Sequence, residues 1–259
     1  MFGPRARNWA LLFGVAGMLG IVIAAMPGTT AIAQDEQGRM DEKALTVLKA
    51  MSDFIGGSET ISFRSTAFLD VVSESGIKIK AGRSSAISLK RPQKLNIQAE
   101  ADDGSAATIW YDGSKLTWWQ RDSNKVMSLD FSGTTDKMLD HLIEKYDAQI
   151  PLADFFYSDL NKTLSSDLLS AEYVGIRVVG GVKCHQLSFE SPGVDWQIWI
   201  EADSTPVPRR FVMDFVGDEN KPQYMAQLSD WSIGGELEDY NFVAAFPETA
   251  EKVDFNLKP

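Results

Sequence analysis

Cysteine and histidine are the scarcest reactive residues of this 259-residue sequence, which has one cysteine, Cys184, and two histidines, His141 and His185. A single cysteine cannot form an intramolecular disulfide, so stability must come from a hydrophobic core. Cys184 and His185 are consecutive in a predicted strand, where neighbouring side chains point to opposite faces. This geometry is poor for a Cys-His dyad or a metal pair. We therefore interpret Cys184 as a buried, inert thiol.

Signatures of common enzymes are also missing from the chain. It contains no G-x-S-x-G or H-E-x-x-H motif, no phosphate-binding Walker loop and no G-x-G-x-x-G fingerprint. Asp102 and Asp103 are adjacent carboxylates, but adjacent side chains in a strand or turn diverge, and a solvated turn explains them better. We therefore predict that the protein is not an enzyme and that it has no catalytic residues, metal site or cofactor.

Basic charge is in short supply. The chain has 25 Lys and Arg against 36 Asp and Glu, and its formal net charge is −11. This balance argues against nucleic acid as a partner and against electrostatic docking on anionic lipid headgroups. Hydrophobic residues make up 44% and charged residues 24%, which is typical of a folded globular protein and excludes a disordered acidic tail.

The first 33 residues are typical of an export signal. Arg5 and Arg7 precede an uncharged apolar run over residues 9–26, and the A-x-A sequence of residues 31–33 follows. A basic head, an apolar middle and a small-residue end predict a cleaved Sec-type signal peptide and a periplasmic protein. The alternative is an uncleaved segment that anchors the protein in the inner membrane.

The rest of the chain, residues 34–259, is predicted to form one mainly β (α+β) domain. Helical spacing of apolar residues predicts an N-terminal helix over residues 40–55, and period-two alternation predicts about ten or eleven antiparallel strands in one meander. A helical insert interrupts the strands at about residues 134–169, with short helices opened by Pro151 and capped by Asn161 that carry apolar residues as far as Leu169. So large a sheet is expected to curl into a half-barrel or open barrel, with the N-terminal helix and the insert over its concave face.

A curled sheet with so few helices predicts an apolar cavity, which is the default candidate for a ligand site. The candidate lining residues are inward-facing apolar positions of the strands and the insert: Phe63, Leu69, Ile79, Ile97, Ile109, Trp118, Leu142, Phe155, Phe156, Trp196, Ile198, Phe211 and Met213. Trp119 and Trp199 are out of phase with the apolar set of their strands. Either the sheet is covered on both faces there, or these rings are exposed for a protein partner.

Several segments resemble known families. The order of helix, strands, helical insert and strands is similar to the LolA/LolB-like periplasmic lipoprotein carriers. The segment Leu89-Lys90-Arg91-Pro92 resembles their K-R-P segment, residues 110–119 resemble their D-G-K hairpin, and residues 241–247 resemble their closing F-x-F-x-P segment with altered spacing. A more specific resemblance is to an exported bacterial family, domain-of-unknown-function family 2092, through residues 151–154, 173–175, 181–187, 195–201, 206–210 and 228–231.

The resemblance implies a LolA-like half-barrel with a helical lid over an acyl-chain cavity, in which Arg91 holds the lid shut through hydrogen bonds. The implied function is a non-enzymatic periplasmic carrier of lipid or lipoprotein acyl chains. The alternative is an envelope protein-interaction or sensor module that has no small-molecule ligand. The expected partners are accordingly an acyl chain or an envelope protein, and not nucleic acid.

Overall fold

The computed structural model describes residues 39–73, 75–148, 150 and 152–257. The predicted signal segment, residues 1–33, and the predicted helix-opening Pro151 lie outside the described residues. Within the described part of the chain, no helix combines the length and the apolar character needed to cross a membrane.

A single sheet of twelve strands forms the body of the protein. The strands are β1 (Thr60–Val72), β2 (Lys78–Lys90), β3 (Lys94–Ala101), β4 (Ala106–Tyr111), β5 (Lys115–Gln120), β6 (Lys125–Asp130), β7 (Ser170–Val179), β8 (Val182–Ser191), β9 (Val194–Glu201), β10 (Pro208–Asp214), β11 (Gln223–Ile233) and β12 (Glu251–Val253). This confirms the prediction of a mainly β protein built on one large curled sheet.

The strand order differs from the single meander that we predicted. The order is β12-β6-β5-β4-β3-β2-β1-β11-β10-β9-β8-β7, so two antiparallel meanders meet where β1 pairs with β11. In addition, β12 pairs with β6 in parallel, because the chain returns to that edge after crossing the sheet. Both pairings join residues far apart in sequence, for which local alternation carries no signal.

Helix α1 (Glu42–Gly56) confirms the predicted N-terminal helix. The Asp41 side chain accepts a hydrogen bond from the backbone N–H of Lys43 and caps the helix, and Gly57 ends it. Its apolar face is buried in the main core through Ala44, Leu48, Met51 and Ile55. The residues before it pair with the start of β7, where Met40 bridges to Ala171.

The helical elements between β6 and β7 are α2 (Thr135–Tyr146), a 3-10 helix (Ala153–Phe156) and α3 (Leu160–Ser165). The predicted cap of the third helix is wrong by two residues. Asp159, rather than Asn161, caps α3, because its carboxylate accepts from the backbone N–H of Lys162 at 3.0 Å. This helix ends at Ser165, so Leu168 and Leu169 are not part of it, and Leu169 is exposed.

A second, small apolar cluster lies on the opposite face of the sheet. It contains Cys184, Trp199, Val179 and Val212, and it confirms that Cys184 is buried. Trp199 is only 9% exposed, because neighbouring side chains on the same face of the sheet pack against it and the Arg210 guanidinium lies 5.4 Å from its ring centroid. The ring is therefore not freely exposed, and its contact with a protein partner stays a prediction. Trp119 is half-buried, and its indole N–H donates to Asn124 Oδ1 at 3.3 Å.

Candidate functional site

Small side chains form one layer across the concave face of the sheet. Strand register places Ser65 opposite Ser85, Ser85 opposite Ala99, and Ala99 opposite Ala107. Four neighbouring strands therefore carry short side chains at the same level. Because a folded interior is otherwise closely packed, a row of small residues under a cover leaves empty volume.

The next layer along the strands is large and apolar. Ile87, Ile97, Ile109 and Trp118 face one another in register on β2 to β5. The Trp118 indole N–H is buried and has no hydrogen-bond acceptor among the described residues. This layer forms an apolar end of the space that the small residues open.

The two layers and the insert border a partly open cavity, whose empty space is about 660 Å³ when the solvent at its mouth is included. Ile150, Leu152 and Phe156, which follow α2, cover it from the side opposite the sheet. We call this covering segment, residues 150 and 152–158, the cover. The lining side chains are Ser65, Ala67, Arg83, Ser85, Ile87, Ile97, Ala99, Ala107, Ile109, Trp118, Ile150, Leu152, Phe156 and Tyr224.

The other end of the cavity is polar. Arg83 lies on β2 opposite Ala67, and Tyr224 lies on β11 opposite Leu69, one register level further along. The side chains of Tyr224 and Ser65 are hydrogen-bonded, and burial raises the pKa of the Tyr224 phenol. Burial lowers the pKa of the Arg83 guanidinium, and attraction to Asp103 and Tyr224 opposes this shift. Arginine nevertheless stays charged at any physiological pH, so this end of the cavity is positive.

Polar contacts hold the cover against the sheet and α2. Arg91 Nη1 donates to the backbone carbonyl of Phe156 at 2.8 Å, whereas its Nε and Nη2 have no acceptor among the described residues. Burial lowers the pKa of Arg91, and the Asp136 carboxylate on α2 opposes that effect. Asp136 also accepts from the backbone N–H of Ser158 at 3.1 Å, and the Tyr157 hydroxyl donates to Asp140 Oδ1 at 2.8 Å.

The structure distributes the predicted cavity residues over several environments. Ile97, Ile109, Trp118 and Phe156 line the cavity. Eight others are buried in the main core but do not line the cavity: Phe63, Leu69, Leu142, Phe155, Trp196, Ile198, Phe211 and Met213. Ile79 is 49% exposed and lies outside the cavity, because the β1–β2 hairpin extends there beyond the elements that cover the sheet.

Sequence reasoning missed the polar and small lining residues. The sequence did contain a signal for Arg83 and Ser85. Odd-numbered residues of β2 face inward, as Ala81, Ile87 and Leu89 do, and both residues have odd numbers. An inward-facing arginine in an apolar phase indicates a buried polar site. The small residues gave no signal of their own, since an alanine or serine is equally common on either face.

The described lining residues combine apolar side chains with one arginine and three hydroxyl groups. They include no histidine, cysteine or carboxylate, and the described chain contains no group of three or more His, Cys, Asp and Glu side chains placed to hold a metal ion. The arrangement can surround an apolar group and present a positive charge and hydroxyls at one end.

Several solved structures are similar to this chain at low sequence identity. Lipoprotein LppX of Mycobacterium tuberculosis is 14% identical, with 74% of this chain and 96% of that chain covered and a TM-score of 0.46. A LolA superfamily protein of Nitrosomonas europaea is 10% identical, with 78% and 97% covered and a TM-score of 0.41. The MucA/MucB complex structure of Pseudomonas aeruginosa matches at 13% identity, with 78% and 61% covered and a TM-score of 0.37.

A family model gives the firmest comparison. The model of the family described as "Predicted periplasmic protein (DUF2092)" matches residues 44–256. This match confirms the family resemblance that the sequence motifs indicated, and with it the periplasmic compartment. No curated protein sequence matches the chain.

Proposed function

On the premise that this chain belongs to the family of predicted periplasmic proteins DUF2092, we propose that it is a non-enzymatic binding or carrier protein for lipid or lipoprotein acyl chains. The chain of the lipid would occupy the cavity between the concave face of the sheet and the cover. A signal peptide cleaved after Ala33 would deliver the protein to this compartment.

The observation that carries this proposal is the lining of the cavity. The space between the sheet and the cover, its open mouth included, is about 660 Å³, and its walls are mostly apolar with a few polar groups at one end, as is typical of small-molecule sites. Its apolar end would remove methylene groups from water, and each buried CH₂ contributes about 0.8 kcal/mol. Movement of the cover, which Arg91 fastens through the Phe156 carbonyl, would open the cavity for uptake and release.

The first test is native mass spectrometry of the protein purified from the periplasm, followed by organic extraction. We expect a stoichiometric lipid or lipopeptide adduct on a chain that begins at Gln34. Clean protein without lipid, recovered in complex with an envelope protein, would instead favour the interaction module. The observation that favours this second candidate is the edge strand β7, whose Ile176 and Val178 side chains are 46% and 66% exposed.

A cavity-filling substitution tests the location of the ligand. Ala99→Leu places a larger side chain in the layer of small residues, and we expect at least a tenfold loss of bound lipid with a folded protein, because the new atoms enter existing space. Ala86→Leu is the matched control, since Ala86 lies on the neighbouring strand and faces the other side of the sheet. Equal lipid occupancy in both variants would show that the ligand does not use this cavity.

A further inference from the structure

The polar end of the cavity is the feature that acyl-chain binding alone does not require. Arg83 carries a full positive charge on the wall of a cavity whose remaining lining is mostly apolar, and burial disfavours that charge. Tyr224 lines the same end, and the hydroxyl-bearing side chains of Ser65 and Ser85 line the adjacent layer. Asp103 and Tyr224 already attract this charge, and oxygen acceptors of a ligand inside the cavity would compensate it further.

The register of the strands separates this polar end from the apolar end. Arg83 and Ile87 lie on the same face of β2, four residues apart, which corresponds to about 13 Å along a strand. The small layer of Ser65, Ser85, Ala99 and Ala107 lies between them. A ligand that spans the cavity would therefore meet a charged end, a middle lined by small side chains and an apolar end, in that order.

We propose that the cavity is specific for an amphiphile whose anionic oxygen head group, a carboxylate or a phosphate, contacts Arg83 while its single alkyl chain lies over the Ile87, Ile97, Ile109 and Trp118 layer. The inference rests on the proposed function and adds the head-group chemistry to it. The guanidinium of arginine presents a planar fork of donors that matches carboxylate and phosphate oxygens. Tyr224 and Ser85 supply hydroxyls that can donate to the same oxygens.

The acidic residues around Arg83 are consistent with this role. Asp103, in the β3–β4 turn, attracts Arg83 but is itself exposed, and its carboxylate accepts from the backbone N–H of Ser105 at 2.8 Å. Asp102 accepts from the backbone N–H of Gly82 at 2.7 Å. Neither aspartate is among the residues that line the cavity, so a head group inside it would face Arg83 and the hydroxyls.

The test compares ligands that share a chain and differ in their head group. Delipidated full-length protein would be titrated at pH 7.5 with palmitate, 1-palmitoyl lysophosphatidate, the neutral alcohol hexadecanol and inorganic phosphate. We expect one or both anionic amphiphiles to bind at least tenfold more tightly than hexadecanol, and inorganic phosphate alone to bind weakly. Comparison of the first two ligands identifies the head group as carboxylate or phosphate.

Three variants locate the effect. Arg83→Met keeps a long side chain without the charge and should reduce anion binding at least tenfold, and hexadecanol binding by a much smaller factor, whereas Arg83→Lys should restore part of the preference. Tyr224→Phe removes a single hydroxyl and should weaken anion binding about threefold, which keeps the test valid if Arg83→Met does not fold. Equal binding of palmitate, lysophosphatidate and hexadecanol would overturn this inference and leave the proposed function intact. Failure of every amphiphile to bind would overturn both.

Discussion

The two halves of the sheet differ in the size of the side chains on their concave faces, although both are antiparallel meanders of similar strand length. The half formed by β7 to β11 fills its concave face with large aromatic side chains. The half formed by β1 to β6 carries a layer of small residues and encloses a cavity. The same curled architecture can therefore be solid or hollow, and side-chain size at a few register levels decides which.

Ring packing holds the filled half together. Phe189 stacks on Trp196 at 4.1 Å between ring centroids, Trp196 contacts Phe211 at 5.8 Å, and Phe211 meets Phe155 edge-on at 5.7 Å. Aromatic pairs in such geometries contribute about 0.5–1.5 kcal/mol each beyond the burial of their area. Phe155 belongs to the 3-10 helix of the insert, so this cluster also anchors one end of the cover.

Polar contacts have a larger part in the hollow half. Arg91, Asp136 and Asp140 hold the cover through its backbone and through Tyr157 and Ser158. Where the cover lies over the cavity, its side chains lack some of the apolar contacts that a filled core would supply. We therefore expect the filled half to contribute more to stability, and the cover of the hollow half to open more readily.

The largest expected effect comes from removing the central ring of the filled half. Trp196→Ala deletes a side chain that is 1% exposed and a hydrogen bond from Trp196 Nε1 to Ser191 Oγ at 3.2 Å. We expect the free energy of unfolding to fall by about 3–5 kcal/mol, as for other large-to-small core substitutions. Urea unfolding of each purified variant would measure it.

The matched control is Trp118→Ala in the hollow half. One side of this ring already borders the cavity, so fewer packing contacts are lost, and we expect less than half of the loss seen for Trp196→Ala. If Trp196→Ala and Trp118→Ala lowered the free energy of unfolding equally, both halves would be equally well packed and the cavity would have no measurable effect on stability.

Local sequence patterns were sufficient for the elements themselves. Period-two alternation in the segments of β1 to β3 and the Asp112-Gly113 turn predicted strands that the structure contains, and the spacing of Ala44, Leu48, Met51 and Ile55 predicted α1. The junction of β1 with β11 was not predictable in this way. It joins Ala67 to Ala226, and the register of so distant a pair depends on the packing of the complete sheet.

The candidate site was predictable only in part, for a different reason. Pattern reasoning selected the largest inward-facing residues, such as Phe211 and Met213, and large residues fill space. A cavity instead forms where large residues are absent, as at Ala99 and Ala107. Arg91 was named from a family resemblance, and the structure places its guanidinium on the Phe156 carbonyl of the cover. That this contact keeps the cover closed over the cavity stays a prediction.

A substitution at Arg91 tests whether the hollow half opens at the cover. Arg91→Met removes the 2.8 Å contact with the Phe156 carbonyl, and a hydrogen bond from a charged donor is worth about 1.5–3 kcal/mol. We expect amide hydrogen exchange of residues 152–158 to accelerate about 10- to 100-fold and α1 to stay unchanged. Arg91→Lys, which keeps the charge but loses the planar fork, should give an intermediate rate. Unchanged exchange in the cover of Arg91→Met would show that Arg91 does not hold it.

The smallest expected effect lies at the outer side of the β2–β3 turn that presents Arg91. Lys94 Nζ and Lys90 Nζ contact the two carboxylate oxygens of Asp239 at 2.8 and 2.9 Å. Hydrogen bonds from Lys94 and Lys90, with the attraction of their charges, lower the pKa of Asp239 from the ordinary 3.8 to about 2. A carboxyl with a lowered pKa in the folded state stabilises the fold above its unfolded pKa, and that contribution is lost as the pH falls from about 4 to about 2.

Thermal unfolding of Asp239→Asn against the wild type tests this assignment. At pH 6 the variant should melt slightly below the wild type, because exposed ion pairs contribute little and are screened by salt. The difference should shrink as the pH falls below 4 and should be close to zero at pH 2.

The exposed Asp203, which lies in the β9–β10 connection away from this turn, provides the control substitution Asp203→Asn. A difference that persists unchanged at pH 2 would mean that Asp239 acts through packing of its 3-10 helix (Asp239–Phe242) rather than through its charge. Apolar packing would then support the β2–β3 turn that carries Arg91, as it does in the filled half. The difference between the two halves would in that case be limited to the contacts of the cover.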